Sequence, residues 1–273
     1  MNTINNSTQT TPIALTIAGS DSGGGAGIQA DLKTFSALGV FGCSAIASLT
    51  AQNTLGVQGV YPITPAFVQD QIHSVLSDIA VGAIKTGMLA TAEIIAAVAD
   101  SLSPYPQIPL VLDPVMVATS GDRLLAEDAI QTLIARLLPL AHVVTPNLHE
   151  AAALLNAEVA SNLQEMQRQG EAILALGARA VLMKGGHAQG DATDLLVTPA
   201  GIESFSAPRL TTRNTHGTGC TLASAIAAGL AKGLPLSAAV KQAKAYVHEA
   251  LVASERLRIG QGAGPVHHFY RFY

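Results

Sequence analysis

The stretch Asn214-Thr215-His216-Gly217-Thr218-Gly219-Cys220 carries a Gly-x-Gly turn straight into an apolar helical pattern that continues from Thr221 to Lys232. The first amides of a helix have no intrahelical acceptor, and the helix dipole adds partial positive charge there. Such a junction can therefore hold a phosphate on backbone N–H groups alone. Cys220 puts a thiol in that same first turn, where the field is expected to lower its pKa and favour thiolate. The alternative is a plain loop-to-helix junction closed by a small core cysteine.

Other groups able to meet a phosphate or a metal stand at the ends of short apolar runs. Asp113 closes Leu110-Val111-Leu112 ahead of Pro114 and reads either as a ligand at a strand end or as a turn-capping aspartate. Lys184 closes Ala180-Val181-Leu182-Met183 ahead of Gly185-Gly186-His187. It either reaches phosphates or snorkels from a strand end. In Thr145-Pro146-Asn147-Leu148-His149-Glu150, Asn147 and Glu150 share one face of a helix's first turn. They form a capping box with Asn in place of Ser or Thr, or they face the rim and hold Mg²⁺ through water. Gly19-Ser20-Asp21-Ser22-Gly23-Gly24-Gly25-Ala26-Gly27 invites a dinucleotide reading, but a start at Gly23 puts Ile28 at the last site and a start at Gly25 puts Gln29 there. No G-K-[ST] follows, so neither a G-x-G-x-x-G nor a Walker A loop is formed.

The elements that must position these groups alternate along the chain. Ile13 to Ala18, Cys43 to Leu49, Val81 to Thr86, Leu110 to Asp113, His142 to Thr145 and Ala180 to Lys184 read as strands. Between them, Ile28 to Leu38, Pro65 to Ser77, Ala92 to Leu102, Ala126 to Leu138, Leu148 to Leu155 and Leu163 to Leu176 have helical periodicity. This βαβ alternation predicts an α/β fold, a three-layer αβα arrangement around a mostly parallel, doubly wound sheet with right-handed crossovers. Leu195 to Val197 and Ile202 to Phe205 flank the turn Thr198-Pro199-Ala200-Gly201 and predict a late antiparallel hairpin. Helices over Thr218 to Lys232 and Leu236 to Leu257 follow. With no linker or repeat, residues 13–273 read as one domain behind a flexible polar tail, residues 1–12.

The chain has 273 residues, 49% hydrophobic and 12% charged, without tryptophan. A core built from Ala, Leu, Val and Ile on closely packed elements follows, and disorder is excluded. No apolar run is long enough to predict a membrane span. The tail has no basic group and no apolar region of the kind a signal peptide needs. Fifteen Lys and Arg against 19 Asp and Glu give a net charge of −4, which offers no basic surface for nucleic acid. Cys43 and Cys220 are widely separated and read as reduced thiols of a cytoplasmic protein. Small molecules are the expected partners, together with a second copy of the chain in a homodimer. The aromatic ending His268-Phe269-Tyr270-Arg271-Phe272-Tyr273 is expected to dock on the domain or on that partner subunit.

Taken in order, these motifs resemble the bacterial hydroxymethylpyrimidine/phosphomethylpyrimidine kinases of thiamine biosynthesis, in the ribokinase-like superfamily. The resemblance extends from about Ile13 to Gly264-Pro265-Val266-His267. Its motifs are Ala18 to Asp31, Thr50-Ala51-Gln52-Asn53-Thr54, Lys85-Thr86-Gly87-Met88-Leu89, Asp113-Pro114-Val115-Met116, Thr145-Pro146-Asn147, Lys184-Gly185-Gly186-His187 and Asn214 to Cys220. It implies ATP-dependent phosphorylation of 4-amino-5-hydroxymethyl-2-methylpyrimidine and then of its monophosphate. Gly217 and Gly219 would form the anion hole, with Cys220 as base where the superfamily's sugar kinases carry aspartate. Lys184, Asn147 and Thr218 would contact the nucleotide, while Asp113, Glu150 and Asn147 would surround Mg²⁺. Gln52 would face the aminopyrimidine, with Gly19, Asp31, Met88 and Val115 completing the pocket; for Asp31 and Gln52, plain surface polarity stays open. A pyridoxal kinase is the nearest rival, since pyridoxine also presents a ring hydroxymethyl group, and a non-catalytic pyrimidine-binding protein is the rival outside enzymes.

Overall fold

The computed structural model describes residues 11–116, 127–185 and 191–273. The tail over residues 1–10, Ala126 at the start of one expected helix, and Gly186 and His187 lie outside the described residues. The strands are β1 (Ile13–Asp21), β2 (Phe41–Asn53), β3 (Gly56–Pro62), β4 (Ala83–Thr86), β5 (Leu110–Leu112), β6 (Val143–Val144), β7 (Val181–Met183), β8 (Ala192–Thr198) and β9 (Gly201–Ala207). They form one sheet in the order β3-β2-β1-β4-β5-β6-β7-β8-β9. From β2 to β7 the pairings are parallel, and β3, β8 and β9 join antiparallel.

The helices are α1 (Gly27–Ala37), α2 (Pro65–Leu76), α3 (Ala92–Leu102), α4 (Glu127–Thr132), α5 (Leu148–Leu155), α6 (Leu163–Ala175), α7 (Thr218–Ala231) and α8 (Leu236–Val252). Alternate residues of the central strands enter different cores: Leu110, Leu112, Val181 and Met183 pack with α2, α3 and α6 residues, whereas Val111 and Leu182 pack with α7 and α8 residues. A sheet covered on both faces needs apolar side chains on both, which explains the unbroken apolar runs. Helix α7 is buried from Thr221 to Leu230, as its lack of a polar face requires. Its small residues allow close contact with α8, where a Cβ on Gly229 would come within 2.8 Å of the Ala239 Cβ.

Two departures from the expected elements have identifiable causes. Strand β3, in which five of seven residues are exposed, lacks the apolar alternation that signals a strand and exists through its pairing with β2. The helix expected to Leu138 is broken into α4, a π-helical turn (Leu133–Leu137) and a 3₁₀ turn (Leu138–Leu140); Pro139 cannot donate to a continuing helix. The order reverses beside β1, which has β2 on one flank and β4 on the other. Open α/β sheets bind ligands beyond the strand carboxyl ends at such a switch point.

Candidate active site

Asp113 follows β5, Thr145 follows β6 and Lys184 follows β7, so three strand ends deliver one cluster. The Thr145 hydroxyl donates to Asp113 Oδ1 (3.2 Å), as does Lys184 Nζ (3.0 Å), which also lies 3.6 Å from Glu150 Oε2. The three charged side chains are 2–13% exposed. Burial pushes the Glu150 carboxyl up to about 7, with Lys184 opposing and Asp113 reinforcing the rise. Burial alone would lower Lys184, but Asp113 and Glu150 outweigh it and hold the ammonium above its ordinary range.

Asn147 and Glu150 form the full capping box of α5: Asn147 Oδ1 accepts from the Glu150 amide (2.9 Å) and Glu150 Oε2 accepts from the Asn147 amide (2.7 Å). The capping reading of the sequence is thus the one these side chains adopt, with Asn147 Oδ1 and Glu150 Oε2 each accepting one backbone amide. Among the described residues there is no group of three or more His, Cys, Asp or Glu side chains arranged to hold a metal ion. The protein's own offer is therefore two carboxylates, Asp113 and Glu150. That fits Mg²⁺, which is usually bound through one or two carboxylates, water and substrate phosphates.

Gly217 caps α7 with φ +77°, and a Cβ there would collide with the Gly25 carbonyl oxygen. Only glycine allows both the left-handed turn and this close approach of the first glycine loop. The Thr218 amide and hydroxyl both bond to the Thr215 carbonyl (3.2 and 2.7 Å), holding the turn closed. The Gly219 and Cys220 amides come next, in the part of the turn without intrahelical acceptors. A Cβ on Gly219 would stand 3.3 Å from Lys184 Nζ and 3.9 Å from Asp113 Oδ2. The Gly217-to-Cys220 turn and the strand-end cluster thus stand side by side.

Cys220 is placed as expected, but its protonation is not. The backbone amide of Gly27, the first residue of α1, favours the thiolate. Lys85 also favours thiolate, yet burial outweighs both, aided by Asp31 and Asp113, and pushes the thiol up to about 11. The expected lowering by the helix field is overturned because desolvation of the thiolate costs more than the field returns.

Asp31 is also corrected. Its side chain is fully buried, Oδ1 and Oδ2 each lie 2.9 Å from Lys85 Nζ, Oδ1 accepts from Ser224 (2.6 Å) and Oδ2 from Thr16 (2.6 Å). A carboxylate with four such contacts has no face left for a ligand. Ser224, one of its partners, stands one turn beyond Cys220 on α7. Lys85, quoted in a motif but given no role by sequence, is the residue that makes this burial possible.

On the other flank, Gln52 ends the inner face of β2, with Oε1 3.1 Å from the Thr50 hydroxyl and Nε2 3.4 Å from His216 Nε2. His216 Nε2 lies 2.8 Å from Asp21 Oδ2. Asp21 also accepts from the Gly23, Gly25 and Ala26 amides (2.8–3.0 Å). Burial opposes ionisation of Asp21, but His216 and the Ala26 and Gly23 amides hold its carboxyl below the usual range. His216 and Asp21 went unassigned in the sequence, though both sit inside quoted motifs. Gly19 donates its amide to the Met88 carbonyl (3.0 Å), closing the switch point between β1 and β4; Val115 is half-buried just after Asp113.

The C-terminal segment straps these loops together. The Ala263 amide donates to Thr54 O, the His216 amide donates to Gly264 O (both 3.0 Å), and His268 Nε2 lies 3.0 Å from the Thr221 hydroxyl. Burial pushes His268 down to about 3, so it packs neutral. The tail docks on its own domain through residues 264–268, while Phe272 and Tyr273 stay exposed.

A family model described as phosphomethylpyrimidine kinase matches residues 21–267. A hydroxymethylpyrimidine/phosphomethylpyrimidine kinase of Rhizobium meliloti is 58% identical over 264 residues, covering 96% of this chain and 99% of that protein. The Escherichia coli protein of the same description is 53% identical over 261 residues, 95% of this chain and 98% of its own. Among solved structures, a Bacillus subtilis pyridoxal kinase in complex with ADP aligns with TM-score 0.88 at 37% identity over 97% of this chain and 100% of its own. A Clostridium difficile phosphomethylpyrimidine kinase aligns with TM-score 0.78 at 45% identity, over 87% and 98% respectively.

Proposed function

The chain belongs to the phosphomethylpyrimidine kinase family, and from that premise we propose that the convergent site transfers the γ-phosphoryl group of ATP. The acceptor is first the hydroxymethyl oxygen of 4-amino-5-hydroxymethyl-2-methylpyrimidine and then the phosphate of the resulting monophosphate. The observation that carries this reading is the flank of Gly219 in the first turn of α7, where a Cβ would stand 3.3 Å from Lys184 Nζ and 3.9 Å from Asp113 Oδ2. The first turn of α7 and the Lys184 ammonium are thereby close enough to act on one phosphoryl group, which is what transfer between two oxygens needs.

In the first step the bond from the γ-phosphorus to its bridging oxygen breaks, a bond to the hydroxymethyl oxygen forms, and that hydroxyl loses its proton. Cys220 is the group we assign to orient the hydroxyl and receive the proton. Its raised pKa makes it a scarce but strong base, and a loose transition state asks little of a base until late. Lys184 neutralises phosphate charge, and Gly217 and Gly219 shape the turn. Asp113 and Glu150 would hold Mg²⁺, which when bound supplies charge neutralisation to the phosphates; Asn147 acts by fixing Glu150. Gln52, Gly19, Met88 and Val115 form the acceptor pocket, with Asp31 supporting it from behind through Lys85. An amide offers both a donor and an acceptor to an aminopyrimidine edge.

We also propose a homodimer built on the β2–β3 arm, supported by the exposed Leu49, Leu55, Val60 and Tyr61 (43–70%), and a cytoplasmic setting, supported by two unpaired thiols. Sedimentation tests the dimer: Tyr61→Asp is expected to yield monomer, and a monomeric parent overturns it. ADP release with hydroxymethylpyrimidine against pyridoxal tests the activity, with the pyrimidine favoured. Gln52→Ala is expected to weaken pyrimidine binding by about 1–3 kcal/mol and leave ATP affinity unchanged; equal losses for both ligands would reject the pocket assignment.

A further inference from the structure

Buried polar groups nearly always find a hydrogen-bond partner, so an unpaired one calls for a reason. The Ser48 side chain is fully buried, and its Oγ has no partner among the described residues. Successive side chains of a strand point to opposite faces, and Ser48, Thr50 and Gln52 share one face of β2. They run from buried to half-buried, while the alternating Leu49, Ala51 and Asn53 are exposed. The outer two are joined, with Thr50 Oγ1 2.9 Å from the Ser20 carbonyl and 3.1 Å from Gln52 Oε1. The innermost hydroxyl is left over.

Gly19 pairs with Ser48 across the β1–β2 ladder. A Cβ on Gly19 would come within 2.7 Å of both Ser48 Oγ and Met88 Cε. The space a side chain would need at Gly19 is taken by the Ser48 hydroxyl and the Met88 thioether methyl, which stand side by side at the switch point. Methionine is unbranched and readily changes rotamer, which suits it to cover an apolar or aromatic surface that comes and goes.

We propose that Ser48 is a specificity-determining contact of the acceptor pocket, its hydroxyl bonding a polar atom on the edge of the aminopyrimidine while Met88 lies against the ring. This rests on the reading of Gly19, Gln52 and Met88 as that pocket. A hydroxyl can donate to a ring nitrogen or accept from an exocyclic amine, so Ser48 and Gln52 would read the heterocycle from the deep end and from the mouth. The opposite responses of binding and stability distinguish this from a merely structural serine.

The test is Ser48→Ala, with steady-state kinetics and thermal melting of the ligand-free protein. The KM for hydroxymethylpyrimidine should rise roughly tenfold, the size of one hydrogen bond, with the KM for ATP unchanged and kcat within about twofold. The melting temperature should stay level or rise, because alanine removes an unpaired polar atom. An unchanged pyrimidine KM, or equal rises for both substrates, overturns the role of Ser48 while leaving the kinase reading intact. A parent protein that phosphorylates no hydroxymethylpyrimidine overturns the kinase reading itself, and this inference with it.

Discussion

Lys85 Nζ lies 2.9 Å from each carboxylate oxygen of Asp31, and neither side chain has any exposure. The pair sits between β4 and α1, and Ser224 ties it to the helix that carries Cys220. Both charges also act on that thiol, Lys85 lowering its pKa and Asp31 raising it.

Breaking this pair from one side leaves an uncompensated buried charge. Lys85→Met is expected to destabilise the protein by about 3–5 kcal/mol in urea denaturation, with much of the loss restored by adding Asp31→Asn. The single variants should move Cys220 in opposite directions, Lys85→Met making it harder to ionise and Asp31→Asn easier. Shifts of the same sign would mean that the pair acts on the thiol only through general disruption.

Alkylation of Cys220 reads its ionisation directly. With the folded thiol near 11 against an ordinary 9.0, iodoacetamide should modify it slowly at pH 8, at a rate that climbs towards pH 11. The sign for folding follows: the stability held in the neutral thiol is fully present below about pH 9 and is lost as pH rises through 11. A midpoint below 9 in the mapped peptide would restore the helix field as the dominant influence. Cys220→Ala is expected to suppress the first phosphorylation more than the second, whose acceptor is already an anion.

Lys184→Ala should lose turnover and stability together, because Lys184 neutralises two buried carboxylates, Asp113 and Glu150. The expected loss is about 3–5 kcal/mol at pH 8, and less at pH 6, where Glu150 can take up a proton. A melting temperature equal to the parent's at both pH values would return Lys184 to a solvated strand end.

Glu150→Gln separates charge from capping, since glutamine keeps a carbonyl oxygen for the Asn147 amide. Glu150 is raised from 4.5 to about 7 in the folded protein. Its contribution to stability is therefore complete below pH 4.5 and is lost as pH rises through 7. Across that window the variant should gain on the parent by an amount on the order of 3 kcal/mol, measured by denaturation at fixed pH values. A difference independent of pH would show that Glu150 is already ionised near its ordinary pKa.

Apolar periodicity was enough to place every central strand and most helices, because periods of two and 3.6 residues are local and survive in any context. The Gly217-to-Cys220 turn and the strand-end positions of Asp113 and Lys184 were legible for the same reason: each follows from the residues immediately around it. Strand β3 was not legible, since its exposed residues depend on β2 for their pairing. Nor was the fate of Asp31, whose place on a helix says nothing about a lysine 54 residues away that meets it. The His216–Asp21 contact spans 195 residues, and the closure of Thr54, His216 and Thr221 by the C-terminal strap is equally non-local. Cys220 shows the division within one residue: its position in the first turn of α7 is a local fact, but its pKa belongs to desolvation and to charges brought from Lys85, Asp31 and Asp113. Tertiary structure alone decided that balance, because burial and Coulomb energies depend on distance in space and not on separation along the chain.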